Sequence, residues 1–216
     1  MSSLPHTLTE GAVSLQAHVR FAAFRNALDG VVNLFALAEG GPPVKVIDFL
    51  VQAQQGDHWC FAAVAQAIAA KFGNSSIDQC TIVTRAKGAQ CCPPHTNKDV
   101  CDKDDHVSKA LCLTKVFGRL TDRPFTYDEV KAALQNDRPL VVVVRTPNSQ
   151  SGHALVIRGF RNAGMKIFVD DPIHGLRWIG ISKFTSRYLD NFEWTHTFET
   201  VPPSEHNPEN CIESAV

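Results

Sequence analysis

An apolar, alanine-rich stretch at residues 59–72, WCFAAVAQAIAAKF, constrains the fold of this chain more than any other feature. It carries apolar residues on most sides of a helical projection, which is typical of a helix buried in a core rather than of a two-sided surface helix. A polar loop at residues 54–58 leads directly into it. The sequence therefore predicts a buried helix whose N-terminus opens onto a polar loop.

Cys60 lies in the first turn of this predicted helix. The unpaired backbone N–H groups and the positive end of the helix dipole favour an anion at such a position. A thiolate is such an anion, and it is the form of cysteine that acts as a nucleophile. Cysteine is also among the most buried residue types, so the position alone is equally compatible with a structural thiol.

Gln54 lies in the loop, six residues before Cys60. Its side-chain amide could donate a hydrogen bond to the same point as the backbone N–H of Cys60, and two such donors make an oxyanion hole. Gln52 and Gln55 compete for this role. The alternative is that all three glutamines belong to a solvated loop.

A second chemical landmark lies at the open end of a predicted β-hairpin. His153 begins one strand, residues 162–164 turn the chain, and the return strand ends at Asp170 and Asp171 before Pro172. A carboxylate at that end could fix the tautomer of the imidazole and leave its other ring nitrogen facing a nucleophile. The alternative is a histidine at a strand edge beside a turn-forming Asp-Pro pair.

Four cysteines lie within 22 residues, at Cys80, Cys91, Cys92 and Cys101. They could form one or two disulfides that hold an irregular loop, if the protein meets an oxidising environment, or remain reduced and buried. A zinc site with His95 or His106 is a weaker alternative, because no Cys-x-x-Cys pair is present. With seven cysteines in the chain, at least one thiol is unpaired or pairs between chains, and Cys211 is a candidate.

The remaining elements follow from periodicity and turn residues. Residues 1–43 are predicted to form an N-terminal helical segment, with a helix at 15–38, that could be a pro-region, an oligomerisation arm or part of the domain. Helix 126–135 begins with a capping box at Thr126. The other expected elements are a helix at 105–120, strands at 44–51, 140–144, 153–160, 165–169, 175–181 and 192–200, and a loose polar tail at 204–216.

The composition restricts the partners of the chain. Its 216 residues carry a net charge of −1, which indicates no nucleic-acid partner. No apolar run is long enough to span a membrane, and the N-terminus lacks the basic start and apolar block of a secretory signal. We therefore expect a cytoplasmic protein, or one exported without a recognisable signal peptide.

Taken together, these features resemble the papain-like cysteine peptidases. The order is glutamine, cysteine six residues later, histidine and aspartate, with helices before the sheet. The resemblance is closer to the bacterial branch of C39-like leader peptidases and AvrRpt2-type C70 proteases, and it covers roughly residues 44–200. The motifs that carry it are QQGDHWCFAA, GHALVIRGF and VDDPIHG, together with the cysteines at 80, 91, 92 and 101.

The resemblance implies an α+β fold in which an N-terminal helical part, with the nucleophile helix, packs on a C-terminal antiparallel β-sheet. The peptidase domain would span residues 44–203. It implies a nucleophile at Cys60, a general base and acid at His153, an orienting carboxylate at Asp171 and an oxyanion donor at Gln54. A protein or peptide substrate is implied, and no cofactor.

The chain departs from papain in two ways. Asp171 stands where papain has asparagine, as in the bacterial branch, and Asp170 competes with it. Phe61 stands where a tryptophan often follows the nucleophile, which is a change at a packing position. Because Asp171 directly precedes the proline, it is the residue that matches the family motif.

Three functions are compatible with these residues. The first is a thiol peptidase or isopeptidase that works through an acyl-enzyme. The second is an acyltransferase with the same Cys-His-Asp set, such as a transglutaminase-like enzyme, in which an amine takes the acyl group. The third is a non-catalytic peptide-binding module on a peptidase fold.

Overall fold

One antiparallel β-sheet forms the framework of the computed structural model, which describes residues 44–94, 97–149 and 151–213. Its seven strands are β1 (Val44–Val46), β2 (Phe117–Thr121), β3 (Leu140–Arg145), β4 (His153–Arg161), β5 (Lys166–Asp171), β6 (Gly175–Gly180) and β7 (Glu193–Thr200). The order is β2-β7-β3-β4-β5-β6, and β1 pairs with the far end of β4. The longest strand, β4, therefore lies near the middle.

Helices precede the sheet and also connect its strands. They are α1 (Cys60–Lys71), α2 (Gln79–Lys87), α3 (Lys98–Cys101), α4 (Val107–Leu113), α5 (Tyr127–Gln135), α6 (Ile181–Arg187) and α7 (Glu209–Glu213), with a short 3₁₀ turn at Pro203–Glu205. Helices α1 to α4 come before the main part of the sheet. The predicted α+β class, with helices first and an antiparallel sheet second, is confirmed.

Strand β3 explains why a continuous apolar run can lie in the sheet. Val141 and Val143 pack into the core cluster that contains α1, whereas Leu140, Val142 and Val144 pack into the cluster on the other face. Successive side chains of a strand point to opposite faces, so a strand covered on both faces needs apolar residues at every position. The strand predicted at 140–144 is confirmed.

Helix α1 is buried along nearly its whole length, as its composition predicts. Nine of its residues, from Cys60 to Ala69, are buried. It packs against β4. The small alanine side chains allow the helix to approach the sheet closely, and this places the N-terminus of α1 beside the first residue of β4.

Three predicted elements are wrong at their boundaries. The strand expected at 44–51 ends at Val46. The backbone N–H of Ile47 still donates to the carbonyl oxygen of Arg158, but the Ile47 carbonyl oxygen and the Val51 N–H bind the side chains of Arg158 and Asp170. The helix expected at 105–120 ends at Leu113, because Lys115 has a φ of 59° and Phe117 begins β2. The strand expected at 175–181 ends at Gly180, and Ile181 begins helix α6.

Disulfides account for six of the seven cysteines. Cys80 pairs with Cys92 and Cys91 with Cys101, so the cysteine-rich loop is closed by two bridges. The third bridge joins Cys112 in α4 to Cys211 in α7.

The prediction that Cys211 is the unpaired thiol is wrong, because Cys60 is the free cysteine. The tail expected to be loose is held by this bridge and by short helices up to residue 213. The helical segment predicted at residues 1–43 lies outside the described residues. Within the described ranges, no helix is long and apolar enough to cross a membrane.

Candidate active site

Cys60 is the first residue of α1 and the free thiol of the chain. It is buried, with 9% of its surface exposed. The preceding residue, Trp59, makes no side-chain capping bond, and the first turn of α1 holds no acidic residue. The N–H groups of Ala62 and Ala63 donate to the carbonyl oxygen of Trp59, whereas those of Cys60 and Phe61 have no hydrogen-bond partner among the described residues. These two donors and the partial positive charge of the helix N-terminus favour an anion.

Trp59 is fixed from two sides, and it fixes the approach to Cys60. Its indole N–H donates to the carbonyl oxygen of Cys101 at 2.8 Å. On its other side, a Cβ atom on Gly56 would lie 2.8 Å from the indole ring, so the loop can take this path only with glycine at that position. Because Cys101 is in a disulfide with Cys91, the cysteine-rich loop positions the start of α1.

His153 and Asp171 meet at the open end of the hairpin, where the sequence places them. His153 Nε2 lies 2.8 Å from Asp171 Oδ1. His153 also interacts with the side chain of Cys60. Since Nε2 faces the carboxylate, Nδ1 is the ring nitrogen left for the thiol.

Four groups surround the Asp171 carboxylate. Besides His153, Oδ1 accepts the backbone N–H groups of Ile173 at 2.8 Å and His174 at 3.0 Å. The hydroxyl of Tyr188 donates to Oδ2 at 2.7 Å. The carboxylate is therefore buried but has hydrogen bonds to both oxygens, which fixes its plane and with it the ring of His153.

The pKa shifts of His153 and Asp171 favour a protonated imidazole beside an ionised carboxylate. Burial lowers the pKa of His153, but its hydrogen bonds to Asp171 and Cys60 and the charges of both groups outweigh burial and raise the pKa to about 9. Burial raises the pKa of the Asp171 carboxyl, but the hydrogen bond and charge of His153 and the bond from Tyr188 bring it below its usual range. Burial first, and then the bond to Asp171, raise the pKa of Tyr188.

The neighbouring carboxylate of Asp170 lies in a different environment. Its Oδ2 accepts from Arg158 Nε and from the backbone N–H of Val51, both at 3.1 Å. Arg158 in turn donates to the carbonyl oxygen of Ile47 at 2.8 Å. Asp170 therefore ties residues 47–51 to the sheet, while Asp171 is the carboxylate that meets His153.

Gln54 is the half-buried member of the three competing glutamines, and Gln52 and Gln55 are exposed. Its Nε2 donates to the carbonyl oxygens of Gly56 at 2.8 Å and Asp57 at 2.7 Å. Its Oε1 is buried, with no hydrogen-bond partner among the described residues. In this conformation both amide protons serve the loop, so an oxyanion role requires the side chain to release or share one of these bonds.

A cavity of about 620 Å³ opens beside Cys60. Leu120, Val143 and Phe198 contribute apolar side chains to its lining. At its edge, Asp104 accepts a hydrogen bond from the Ser151 hydroxyl and contacts His58 Nδ1 at 3.0 Å. Asp104 thus joins the loop that precedes Cys60 to the loop that precedes His153.

The zinc site considered as a weaker alternative would have no thiolate ligands in the cysteine-rich loop. All four cysteines of the loop are in disulfides. The one described cluster with metal-ligand geometry, Asp78 with Cys80 and Cys92, contains such a disulfide. His95 lies outside the described residues.

Sequence reasoning missed two residues of this region. Tyr188 follows α6, and no local pattern indicates that its hydroxyl reaches Asp171. Gln79, the first residue of α2, is completely buried and binds the glutamine loop through its side chain. A completely buried glutamine is unusual enough to suggest a specific partner, but its burial is not readable from the sequence.

A comparison with known protein families agrees with the resemblance seen in the motifs. The family described as papain-like cysteine protease AvrRpt2 matches residues 44–189. A solved structure, described as a double glycine motif protease from an AMS/PCAT transporter in complex with the leader peptide, aligns with 76% of this chain and 97% of its own chain, at 16% identity and a TM-score of 0.42. No curated protein matches the chain.

Proposed function

Because the chain belongs to the papain-like cysteine protease family of AvrRpt2 and is thus a cysteine peptidase, we propose that it cleaves peptide bonds through a Cys60-His153-Asp171 triad and an acyl-enzyme. The observation that carries the proposal is the His153–Asp171 hydrogen bond of 2.8 Å next to the free thiol of Cys60. The free thiol lies at an uncapped helix N-terminus, which favours a thiolate.

The first step is attack on the substrate. His153 takes the proton of Cys60, and the resulting imidazolium is stabilised by Asp171. The thiolate sulfur attacks the amide carbonyl carbon, so an S–C bond forms and the carbonyl electrons move to the oxygen. The backbone N–H of Cys60 binds this oxyanion, and Gln54 joins it after releasing a loop carbonyl.

The second step releases both products. His153 donates its proton to the leaving amine nitrogen as the C–N bond breaks, which leaves a thioester on Cys60. Water, deprotonated by His153, then attacks the thioester and frees the carboxylic acid and the thiolate. The raised pKa of His153 is consistent with an imidazolium that keeps the proton of Cys60 until the proton is donated to the leaving amine.

The test is the pH dependence of Cys60 alkylation by iodoacetamide, measured by intact mass without reductant. Six of the seven cysteines are in disulfides, so a single mass increase reports Cys60. An ordinary thiol has a pKa of roughly 8.5 and reacts very slowly at about pH 5–6. We expect rapid labelling at that pH in the parent and a large loss in His153→Ala.

The matched control is His206→Ala, which removes another half-buried histidine; its Nδ1 bonds the carbonyl oxygen of Phe117 at 3.0 Å and its Nε2 lies 3.8 Å from Cys211 Sγ. This variant should label like the parent, because His206 does not line the cavity at Cys60. Labelling of the parent that rises only through alkaline pH, or that is unchanged in His153→Ala, would contradict the proposed triad.

A further inference from the structure

The side chain of Gln79 holds the loop that carries Gln54. Gln79 is completely buried at the N-terminus of α2. Its Oε1 accepts the backbone N–H of Gln55 at 2.9 Å, and its Nε2 donates to the carbonyl oxygen of Ala53 at 3.0 Å. One amide therefore binds the residues immediately before and after Gln54.

The loop needs such an anchor because it has no helix or strand of its own between residues 51 and 59. On the opposite side, the backbone N–H of Gln54 donates to the carbonyl oxygen of Pro172 at 3.2 Å, directly after Asp171. The backbone of Gln54 is thus held between α2 and the end of β5. What remains adjustable is the side chain of Gln54, whose amide donates to two carbonyl oxygens of its own loop.

We propose that Gln79 is a positioning residue for the oxyanion hole: its two hydrogen bonds hold Gln54 where its amide can reach the oxyanion formed at Cys60. This inference rests on the proposed function, because it assigns Gln79 a role through Gln54. Glutamine suits the position because one rigid planar group offers both a donor and an acceptor. An ionised glutamate lacks the donor, and methionine lacks both.

The test separates a reaction that forms an oxyanion from one that does not. In acylation by p-nitrophenyl acetate, the Cys60 sulfur bonds to the carbonyl carbon through an oxyanion, and p-nitrophenolate leaves with the C–O electrons. Alkylation by iodoacetamide displaces iodide without an oxyanion. The ratio of the two rate constants therefore reports the oxyanion hole, whereas the alkylation rate alone reports the thiolate.

A double-mutant cycle gives the first measurement. Loss of one oxyanion donor costs on the order of 10²–10³-fold, and we expect Gln79→Met to lower the ratio by about tenfold because the donor is misplaced but not removed. In a Gln54→Ala background, the same substitution should change the ratio by less than about twofold, since the group that it positions is gone. Equal losses in both backgrounds would overturn the proposal.

Gln79→Glu gives a second measurement that does not depend on Gln79→Met folding. A protonated glutamic acid still accepts from Gln55 and donates to Ala53, whereas the ionised form places an anionic oxygen against the Ala53 carbonyl. We expect a ratio within about twofold of the parent at acid pH, falling by about tenfold as the buried carboxyl ionises. If the acylation-to-alkylation ratio of Gln79→Glu, divided by that of the parent, does not change with pH, the proposal is overturned.

Gln66→Met is the matched control, because Gln66 is a half-buried glutamine of α1 whose Oε1 has no hydrogen-bond partner among the described residues. It should leave the ratio unchanged, and a tenfold loss there would count against a specific role for Gln79.

Failure of the proposed function has a different signature. If the parent shows no rapid alkylation at acid pH, both proposals are overturned. If the parent is alkylated rapidly but Gln79→Met lowers the ratio equally in both backgrounds, only the role of Gln79 is overturned.

Discussion

The two carboxylates that end strand β5 differ in their partners far more than in their burial. Asp170 and Asp171 are 1% and 2% exposed and adjacent in the chain. Asp170 binds Arg158, and Asp171 binds His153. Successive side chains of a strand point to opposite faces, so one residue of register decides which partner each carboxylate meets.

The difference between these partners is a difference in proton chemistry. Arginine keeps its charge at all accessible pH values, so Arg158 pairs with Asp170 without exchanging protons and connects β4 to β5. Histidine gains and loses a proton near neutrality, so the Asp171–His153 pair can take part in proton transfer. Two carboxylates of equal burial therefore separate a structural role from a proposed catalytic one.

The largest expected effect is on stability, from Asp170→Asn. This substitution leaves Arg158 buried without its carboxylate, and removing one partner of a buried pair costs about 3–5 kcal/mol. We expect a loss of this size in urea unfolding at neutral pH. Asp170→Asn/Arg158→Met should recover part of the loss, because the uncompensated charge is gone.

In the same Asp170→Asn variant, rapid Cys60 alkylation at acid pH should persist in the folded fraction. A stability loss below about 1 kcal/mol, in the range of an exposed pair, would show that Asp170→Asn does not leave an uncompensated buried charge on Arg158. Loss of labelling in folded protein would show that the two carboxylates are not functionally separate.

The next effect is on reactivity, from Asp171→Ala. This change removes the group that orients His153, and we expect the acylation of Cys60 by p-nitrophenyl acetate to fall on the order of 10²–10³-fold. Asp171→Asn keeps an oxygen that can accept from His153, so it should lose less. An acylation rate of Asp171→Ala within about threefold of the parent would contradict the proposed role.

The third effect is a pH dependence of stability that depends on Asp171 and not on Asp170. The pKa of His153 is raised from 6.5 to about 9 in the folded protein, after burial is outweighed by Asp171 and Cys60. The imidazolium therefore stabilises the fold fully below about pH 6.5, and this contribution, on the order of 3 kcal/mol, is lost as pH rises through about 9.

Urea unfolding of the parent and of His153→Gln checks this sign. The difference in unfolding free energy should shrink between about pH 6 and about pH 9.5. Asp171→Asn should abolish most of this pH dependence, and Asp170→Asn should retain it. A difference that stays constant over this range would contradict the raised pKa.

The parts of this site that could be predicted from sequence are the local ones. The buried helix α1 follows from its composition, and the capping box at Thr126, which is present in the structure, follows from residues three apart. His153 and Asp171 could be paired because a hairpin brings its two ends together. Each inference needs only neighbouring residues or one turn.

The remaining parts depend on contacts between distant segments. The choice between Asp170 and Asp171 requires the strand register and the position of Arg158. The Cys112–Cys211 bridge spans 99 residues, so nothing near Cys211 indicates that it is paired. Gln79 and Tyr188 bind Gln55 and Asp171 through contacts that form only when the sheet and helices pack together.

The smallest expected effect is the loss of one hydrogen bond to Asp171, in Tyr188→Phe. The Tyr188 hydroxyl donates to Oδ2 of Asp171 at 2.7 Å. A hydrogen bond to a charged group contributes about 1.5–3 kcal/mol, of which we expect part to appear as a roughly tenfold slower acylation of Cys60. Tyr127→Phe is the matched control, because its hydroxyl donates to Asn162 Oδ1 at 3.0 Å, away from the triad. An equal fall in both variants would mean that the Tyr188 bond supports the fold alone, and a fall in Tyr188→Phe only would place Tyr188 with Asp171 in orienting His153.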